Sequence, residues 1–176
     1  MEQYKKDFIE RTDHHIELVN YYALEIAEYD MDVFESIDVK YHDEDKLTTL
    51  LEDYSLMSKE SLTPEEEKRL DEATKIHIIY NYHHPEFWVS DEDTIRVKRE
   101  FTRKNPVMNL DCSNMPEWAM MEMCADWCAM SEEFSNTPFE WADKVIGTRW
   151  IFTDNQKEFI YDTLRKGWSS HMEEFN

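Results

Sequence analysis

Two glycines, Gly147 and Gly167, are all that this chain of 176 residues contains. Tight hairpins draw on glycine for positive φ, and dinucleotide and phosphate loops need several glycines at fixed spacing. A chain this poor in glycine is therefore constrained towards helices. Its hydrophobic content of 41%, with 14% aromatic, is enough for a packed core despite 34% charged residues. The length suits one domain over 1–176, and the expected fold is an all-α, single-domain bundle of about six to eight helices.

Helical periodicity can be followed along the chain. Phe8, His15, Leu18, Tyr22, Ile26 and Tyr29 recur on one face of a helix over 4–29, with His14 rotated about 100° away. Two short helices are expected over 31–57, around Val33, Phe34, Ile37 and Val39 and then Leu47, Leu50, Leu51 and Tyr54. The stretch Met57 to Thr63 reads as a polar connection. Thr63 and Pro64, followed by Glu65 to Glu67, form a strong helix start. The inner stripe of that helix runs Leu70, Ala73, His77 and Tyr80 or Asn81. Pro85 excludes His84 from its regular part, leaving His83 and His84 at a helix terminus.

Over 89–113 the pattern weakens, with Arg96, Lys98, Arg99, Arg103 and Lys104 close together. Most of these fit an exposed segment paired with acidic surface, and one or two are candidates to meet a phosphate. A helix from Ser113-Asn114 to about Phe134 places Ala119, Glu122, Asp126, Ala129 and Glu133 on one stripe. Helices from Thr137-Pro138 to Trp150 and from Thr153 to Lys166, the latter with Gly167 as C-cap, close the chain over 137–168. Their aromatic residues read as core, and His171 as solvated.

Charge and cysteine usage narrow the partners. Nineteen basic against 40 acidic residues give a formal charge of −21, which repels nucleic-acid backbones and anionic membranes. No apolar run reaches the ~20 residues of a membrane span, and Met1-Glu-Gln-Tyr-Lys-Lys lacks the apolar core of a signal peptide. Cys112, Cys124 and Cys128 lack paired CxxC motifs and fit reduced thiols in a cytoplasmic protein. Cys124 and Cys128, in an acidic, Met-rich helix, read as core residues and not as nucleophiles. No serine sits in a strand-turn-helix context suited to Ser-His-Asp catalysis.

The chemistry lies with the histidines. Six of seven fall between residues 14 and 84. His42 and Asp43 are adjacent within Lys40-Tyr-His-Asp-Glu-Asp-Lys46, and imidazole with carboxylate suits Mn, Fe, Zn, Co or Ni. Of the first pair, His15 is the candidate ligand, because it lies on the inner face. A core histidine bonded to a carbonyl is the plainer alternative. Asp126, amid Cys124-Ala-Asp-Trp-Cys128, needs a cation, a metal or strong donors to be buried. A buried salt bridge to an arginine would also satisfy it, and Glu122, one turn earlier, could share its partner.

Taken in order, His15, His42-Asp43, His77, His83 or His84, and Asp126 resemble the HD-domain superfamily of metal-dependent phosphohydrolases. The resemblance implies a first divalent ion held by His15, His42, Asp43 and Asp126. It implies a second near His77 with His83 or His84, bridged by Asp43, and Lys46 completes a His-Asp-x-x-Lys form. A closer likeness is to a family of small uncharacterised phage and bacterial proteins. It rests on His42-Asp43-x-x-Lys46, Asn81-Tyr-His-His-Pro-Glu-Phe-Trp88 and Met115-Pro-Glu-Trp-x4-Met123-Cys-Ala-Asp-Trp127, over about residues 10–130.

The implied activity is hydrolysis of a small phosphorylated substrate, a nucleotide by analogy, by water activated at one or two ions. Lys46 would stabilise charge, and His83, His84 or Glu122 would carry the proton. Such a protein would act in the cytoplasm, of the host if phage-encoded, in nucleotide metabolism or counter-defence, with homo-oligomers compatible. Two alternatives stand beside it: a two-iron oxygenase of the same superfamily, and an acidic, non-enzymatic partner-binding protein with a structural ion.

Overall fold

The computed structural model describes residues 2–37 and 39–173. Helix dominates, as the scarcity of glycine requires. Six α-helices among the described residues have eight or more residues: α1 (Gln3–Ile26), α5 (Pro64–Tyr80), α6 (Asp91–Glu100), α7 (Glu117–Glu133), α8 (Pro138–Val145) and α9 (Asp154–Gly167). Four shorter ones are α2 (Met31–Ser36), α3 (Glu44–Leu47), α4 (Leu51–Tyr54) and α10 (Ser169–Glu173). The all-α expectation holds. Strand is confined to a parallel pair of two residues each, β1 (Leu110–Asp111) and β2 (Trp150–Ile151), with Leu110 opposite Trp150.

The core is built round α7. Its Met120, Met123, Cys124, Trp127 and Cys128 are all buried, on several faces, the mark of a central helix. It packs on α1 and α9, and those two pack on each other. α1 contributes Val19, Tyr22 and Ile26, and α9 contributes Ile160 and Leu164, all buried in one cluster. Each such aliphatic side chain, buried fully, stabilises by about 1.5–3 kcal/mol. A smaller cluster of Phe8, Tyr54, Leu56, Leu70 and Ala73 lies at the other end of α1. No helix of the described residues is long and apolar enough to cross a membrane.

With so few glycines, turns fall to other residues. Glu28, Tyr29, Asp43, Asn109 and Ser135 all take positive φ, which costs a side-chain-bearing residue energy. One of these turns ends α1 earlier than its hydrophobic period suggests. α1 stops at Ile26, and Tyr29 is 63% exposed in a left-handed turn instead of continuing the buried stripe. Likewise α8 ends at Val145. Gly147 at φ 83 turns the chain, and Trp150 becomes strand.

Gly167 is not a left-handed cap, since α9 includes it and Trp168 caps the helix. It is needed for close approach: a Cβ there would stand 3.1 Å from both Cys128 Sγ and Ile26 Cγ1. The stretch 31–57 is more broken than two helices, with 3-10 turns at Val39–Tyr41 and Ser55–Ser58 among the short α segments. Over 89–113, where periodicity faded, α6 forms behind a Ser90 N-cap. His171 is half-buried and stacks on Trp168 at 4.1 Å between ring centroids.

Candidate metal centre

Local sequence determines how each ligand-type side chain is presented. α1 turns His15 inward, with a side chain 8% exposed, and leaves His14 outward at 63%. α5 starts at a full capping box, Thr63 with Glu66, and at Pro64. That start places His77 in the last turn, on the same buried face as Leu70 and Ala73. Asn81 caps the end, and Tyr80 points out at 63% exposed, so of the two alternatives Asn81 lies inward. Pro85 opens a 3-10 turn, Pro85–Trp88, and leaves His83 and His84 in the sharp bend before it.

Asp43 sits at the N-cap of α3 with φ 58, and its carboxylate makes no cap hydrogen bond. An N-cap aspartate ordinarily accepts from its own helix. This one is turned into the interior, 1% exposed, so its left-handed backbone presents a carboxylate and not a cap.

The side chains from these elements meet. His15 Nε2 lies 3.0 Å from Asp126 Oδ1 and 3.9 Å from Asp43 Oδ2, while His42 Nε2 is 3.8 Å from each of those oxygens. The other oxygen of Asp43 faces a second group. His77 Nε2 stands 3.2 Å and His83 Nε2 3.7 Å from Asp43 Oδ1. His77, His83 and His84 place ligand atoms within 4.8 Å of one another. Donor atoms about 2.1 Å from one ion, at tetrahedral or octahedral angles, are roughly 3.0–3.4 Å apart. The separations to the carboxylate oxygens, 3.0–3.9 Å in the first group and 3.2–3.7 Å in the second, are at or a little beyond that spacing, and Asp43 gives one oxygen to each group.

Carboxylates stand behind the rings. Glu122 Oε1 accepts from His42 Nδ1 at 3.0 Å and lies 3.5 Å from His83 Nδ1. Asp45 Oδ2 is 2.9 Å from His77 Nδ1 and also accepts from Asn81 Nδ2 at 2.9 Å. Glu133 Oε1 is 3.6 Å from His15 Nδ1. A carboxylate on Nδ1 fixes the tautomer that leaves Nε2 as a lone-pair donor, the pattern found round metal-bound histidines.

A buried salt bridge is the plainer explanation for such a cluster, and it fits His15 with Asp126. It also fits Asp43 Oδ2, which lies 2.7 Å from Lys46 Nζ, but it leaves other atoms without a partner. His42 Nε2, His77 Nε2, His84 Nε2 and Asp43 Oδ1 are all buried without a hydrogen-bond partner, and leaving such groups unsatisfied costs about 1–3 kcal/mol each. All four belong to the two groups just described. One or two divalent ions would satisfy them together, and the donor set, imidazoles with carboxylates, suits Mn, Fe, Zn, Co or Ni.

Protonation is consistent with that fit. Burial pushes the Asp43 carboxyl up, but Lys46, His42 and His77 outweigh it and hold the carboxyl well below its usual range. Asp126 is lowered despite burial, chiefly by its hydrogen bond to His15. Burial, aided by neighbouring histidines, drives His83 and His84 well below the ordinary imidazole value, so both are neutral and able to ligate.

Lys46 Nζ is 2.7 Å from Asp43 Oδ2 and lines a cavity of about 210 Å³ over the cluster, together with His15, Asp43, His77, His84 and Asp126. A larger cavity of about 480 Å³ adjoins it, since Thr74, Ile78, His84, Asp126 and Met130 line both. Glu122 lines neither cavity. Of the five clustered bases, Arg96, Arg99, Arg103 and Lys104 pair with Asp93, Glu100, Asp71 and Glu67, and Lys98 lies over Tyr80. Only Arg103 reaches a cavity wall.

Sequence reasoning gave no role to Asp45 and did not single out Glu86 or Arg149. Asp45 meets His77 across 32 residues, and no spacing signals such a contact. The thiols of Cys112, Cys124 and Cys128 are all buried and raised by burial, so they are core.

Fold and site together define a mostly helical protein with buried His/Asp clusters able to hold metal. The chain matches the model of a family described as of unknown function, DUF5662, over residues 4–166, and belongs to that family. No curated protein and no solved structure matches it.

Proposed function

We propose that this protein is a metal-dependent phosphohydrolase of the HD type, acting on a small phosphorylated substrate, with nucleotides the first class to test. The observation that carries the reading is the division of Asp43: one oxygen faces His15 and His42, whose Nε2 atoms also meet Asp126, and the other faces His77 and His83. On this reading His15, His42, Asp43 and Asp126 would hold one ion, and Asp43, His77, His83 and His84 would hold the other. Ions so held would lower the pKa of water towards neutrality and offset phosphate charge.

The protein's own groups do the rest. Lys46 stays charged, since Asp43 raises it against the effect of burial, and it stabilises the extra negative charge at the phosphoryl oxygens. Water adds to phosphorus, the bond to the leaving oxygen breaks, and the proton that the water gives up ends on that oxygen. Glu122 lies behind His42 and His83, a position that suits orienting the two rings better than carrying that proton. His84, facing both cavities, is assigned to the second ion in place of a proton-carrying role.

The test is phosphate release by metal-loaded protein from a panel of nucleoside mono-, di- and triphosphates and sugar phosphates. Metal-dependent release, abolished in Asp43→Ala, is expected. No release from any of them with any of Mn, Fe, Zn, Co or Ni would refute the reading. The histidine-rich donor set also suits iron, so oxygen consumption by the iron form, with no phosphate released, would favour an oxygenase.

A further inference from the structure

The larger cavity gathers side chains that hydrolysis itself does not use. Beyond the metal-type residues, its wall includes Trp127, Trp141, Trp150, Arg103 and Arg149. Trp127 and Trp150 are near-parallel, with centroids 5.8 Å apart at 14°, and Trp141 meets Trp150 edge-on at 6.4 Å. One buried carboxylate fixes this wall. Glu86, 1% exposed, accepts through Oε1 from Arg149 Nη2 at 2.6 Å and from Trp150 Nε1 at 2.9 Å. Glu86 follows His83 and His84 by only three and two residues, within Asn81-Tyr-His-His-Pro-Glu-Phe-Trp88, so the segment that supplies two histidines to the centre also supplies the anchor of the aromatic wall.

Arg149 is no free phosphate clamp. Its charge is balanced by Glu86, and its guanidinium lies over the Trp150 ring at 4.5 Å. Its Nε is buried without a hydrogen-bond partner. A charge-balanced arginine among tryptophans, with guanidinium donors beyond the one given to Glu86, matches a flat ring carrying an acceptor on its edge. A cavity of about 480 Å³ lies within the ~300–1,000 Å³ range of small-molecule sites, with room for one ring-bearing unit and not a polymer.

We propose that this cavity is the subsite for the substrate's leaving group, and that the leaving group carries a flat aromatic ring. The ring stacks on the tryptophan wall and accepts a hydrogen bond from Arg149, while the phosphoryl group sits where His84 and Asp126 line both cavities. Glu86 is a positioning residue that acts through Arg149 and Trp150. The placement of the phosphoryl group rests on the phosphohydrolase reading; the binding of the ring does not.

The experiment has two arms on metal-loaded protein. In the first, the four common nucleosides, phenol and ribose are titrated by calorimetry. At least one ring-bearing probe is expected to bind saturably where ribose does not, and Trp141→Ala, at a site 36% exposed, should weaken it roughly tenfold. Selective binding of nucleosides identifies a nucleobase as the ring, and equal binding of phenol a simple aryl group. In the second arm, nucleoside monophosphates are compared with ribose 5-phosphate. Glu86→Gln should lower the preference for the ring-bearing ester roughly tenfold through KM, with kcat for that ester within about twofold. Equal binding of ribose and every ring probe, or an unchanged affinity in Trp141→Ala, overturns the subsite. Ring binding without any hydrolysis overturns the phosphohydrolase reading alone.

Discussion

Glu122 gives the sharpest test of how the centre is built, because one carboxylate serves both halves. Its Oε1 is 3.0 Å from His42 Nδ1 and 3.5 Å from His83 Nδ1, and those rings belong to different ion positions. Glu122→Gln preserves size and one acceptor but removes the charge that orients both imidazoles and makes them more basic. Removing such a supporting carboxylate weakens metal affinity by about 10–100-fold, or about 1.4–2.7 kcal/mol per ion. Asp45 supports His77 alone, so Asp45→Asn should weaken one ion by the same factor and spare the other. Competition titrations against a chelating dye, with folding checked by circular dichroism, resolve the two steps. Two weakened steps in Glu122→Gln and one in Asp45→Asn are expected. Wild-type affinities in Glu122→Gln, or two equally weakened steps in Asp45→Asn, would refute the two-sided arrangement.

Three further outcomes follow from particular contacts. Lys46→Ala should retain its ions yet lose about 100-fold in phosphate release; turnover at the wild-type rate would make Lys46 structural only. Burial pushes the His15 imidazole down, but its hydrogen bond to Asp126 and the neighbouring Glu133 carboxylate raise it to about 9 in the metal-free protein. Its stabilisation is therefore complete below the unfolded value of about 6.5 and is lost as pH rises through 9. Because ligation needs the neutral ring, ion uptake at pH 7.5 should expel about one proton from His15, read by calorimetry in buffers of different ionisation enthalpy; no buffer dependence would contradict this. Gly167→Ala should lower Tm, because crowding against Cys128 and Ile26, at about 1–3 kcal/mol, exceeds the helix-propensity gain of about 1 kcal/mol; a raised Tm would show that the contact gives way.

Much of this was legible in the sequence for a physical reason. Helical periodicity placed His15 and not His14 inward, and Thr63-Pro64 with Pro85 set both ends of the segment carrying His77, His83 and His84. What could not be read depends on turns and on long-range pairing. The left-handed backbone at Asp43, which directs its carboxylate inward, belongs to an ordinary residue with no sequence marker. Hydrophobic periodicity overruns the ends of α1 and α8, because Tyr29 and Trp150 continue the period after the helix has stopped. Gly167 looked like a cap because a glycine near a helix end usually is one, whereas here its missing Cβ lets α9 approach α1 and α7. Asp45, Glu86 and Arg149 act through partners 32 to 64 residues away, and one sequence alone carries no signal for that.

The most direct measurement is elemental analysis of protein purified without a histidine tag or chelator, beside Asp43→Ala and Asp126→Ala. One or two transition-metal ions per chain in the wild type are expected, with the ions lost from Asp43→Ala and the ion at His15 and His42 lost from Asp126→Ala. A wild-type protein that takes up no metal even after reconstitution, or an Asp43→Ala variant that keeps its full complement, would contradict the account.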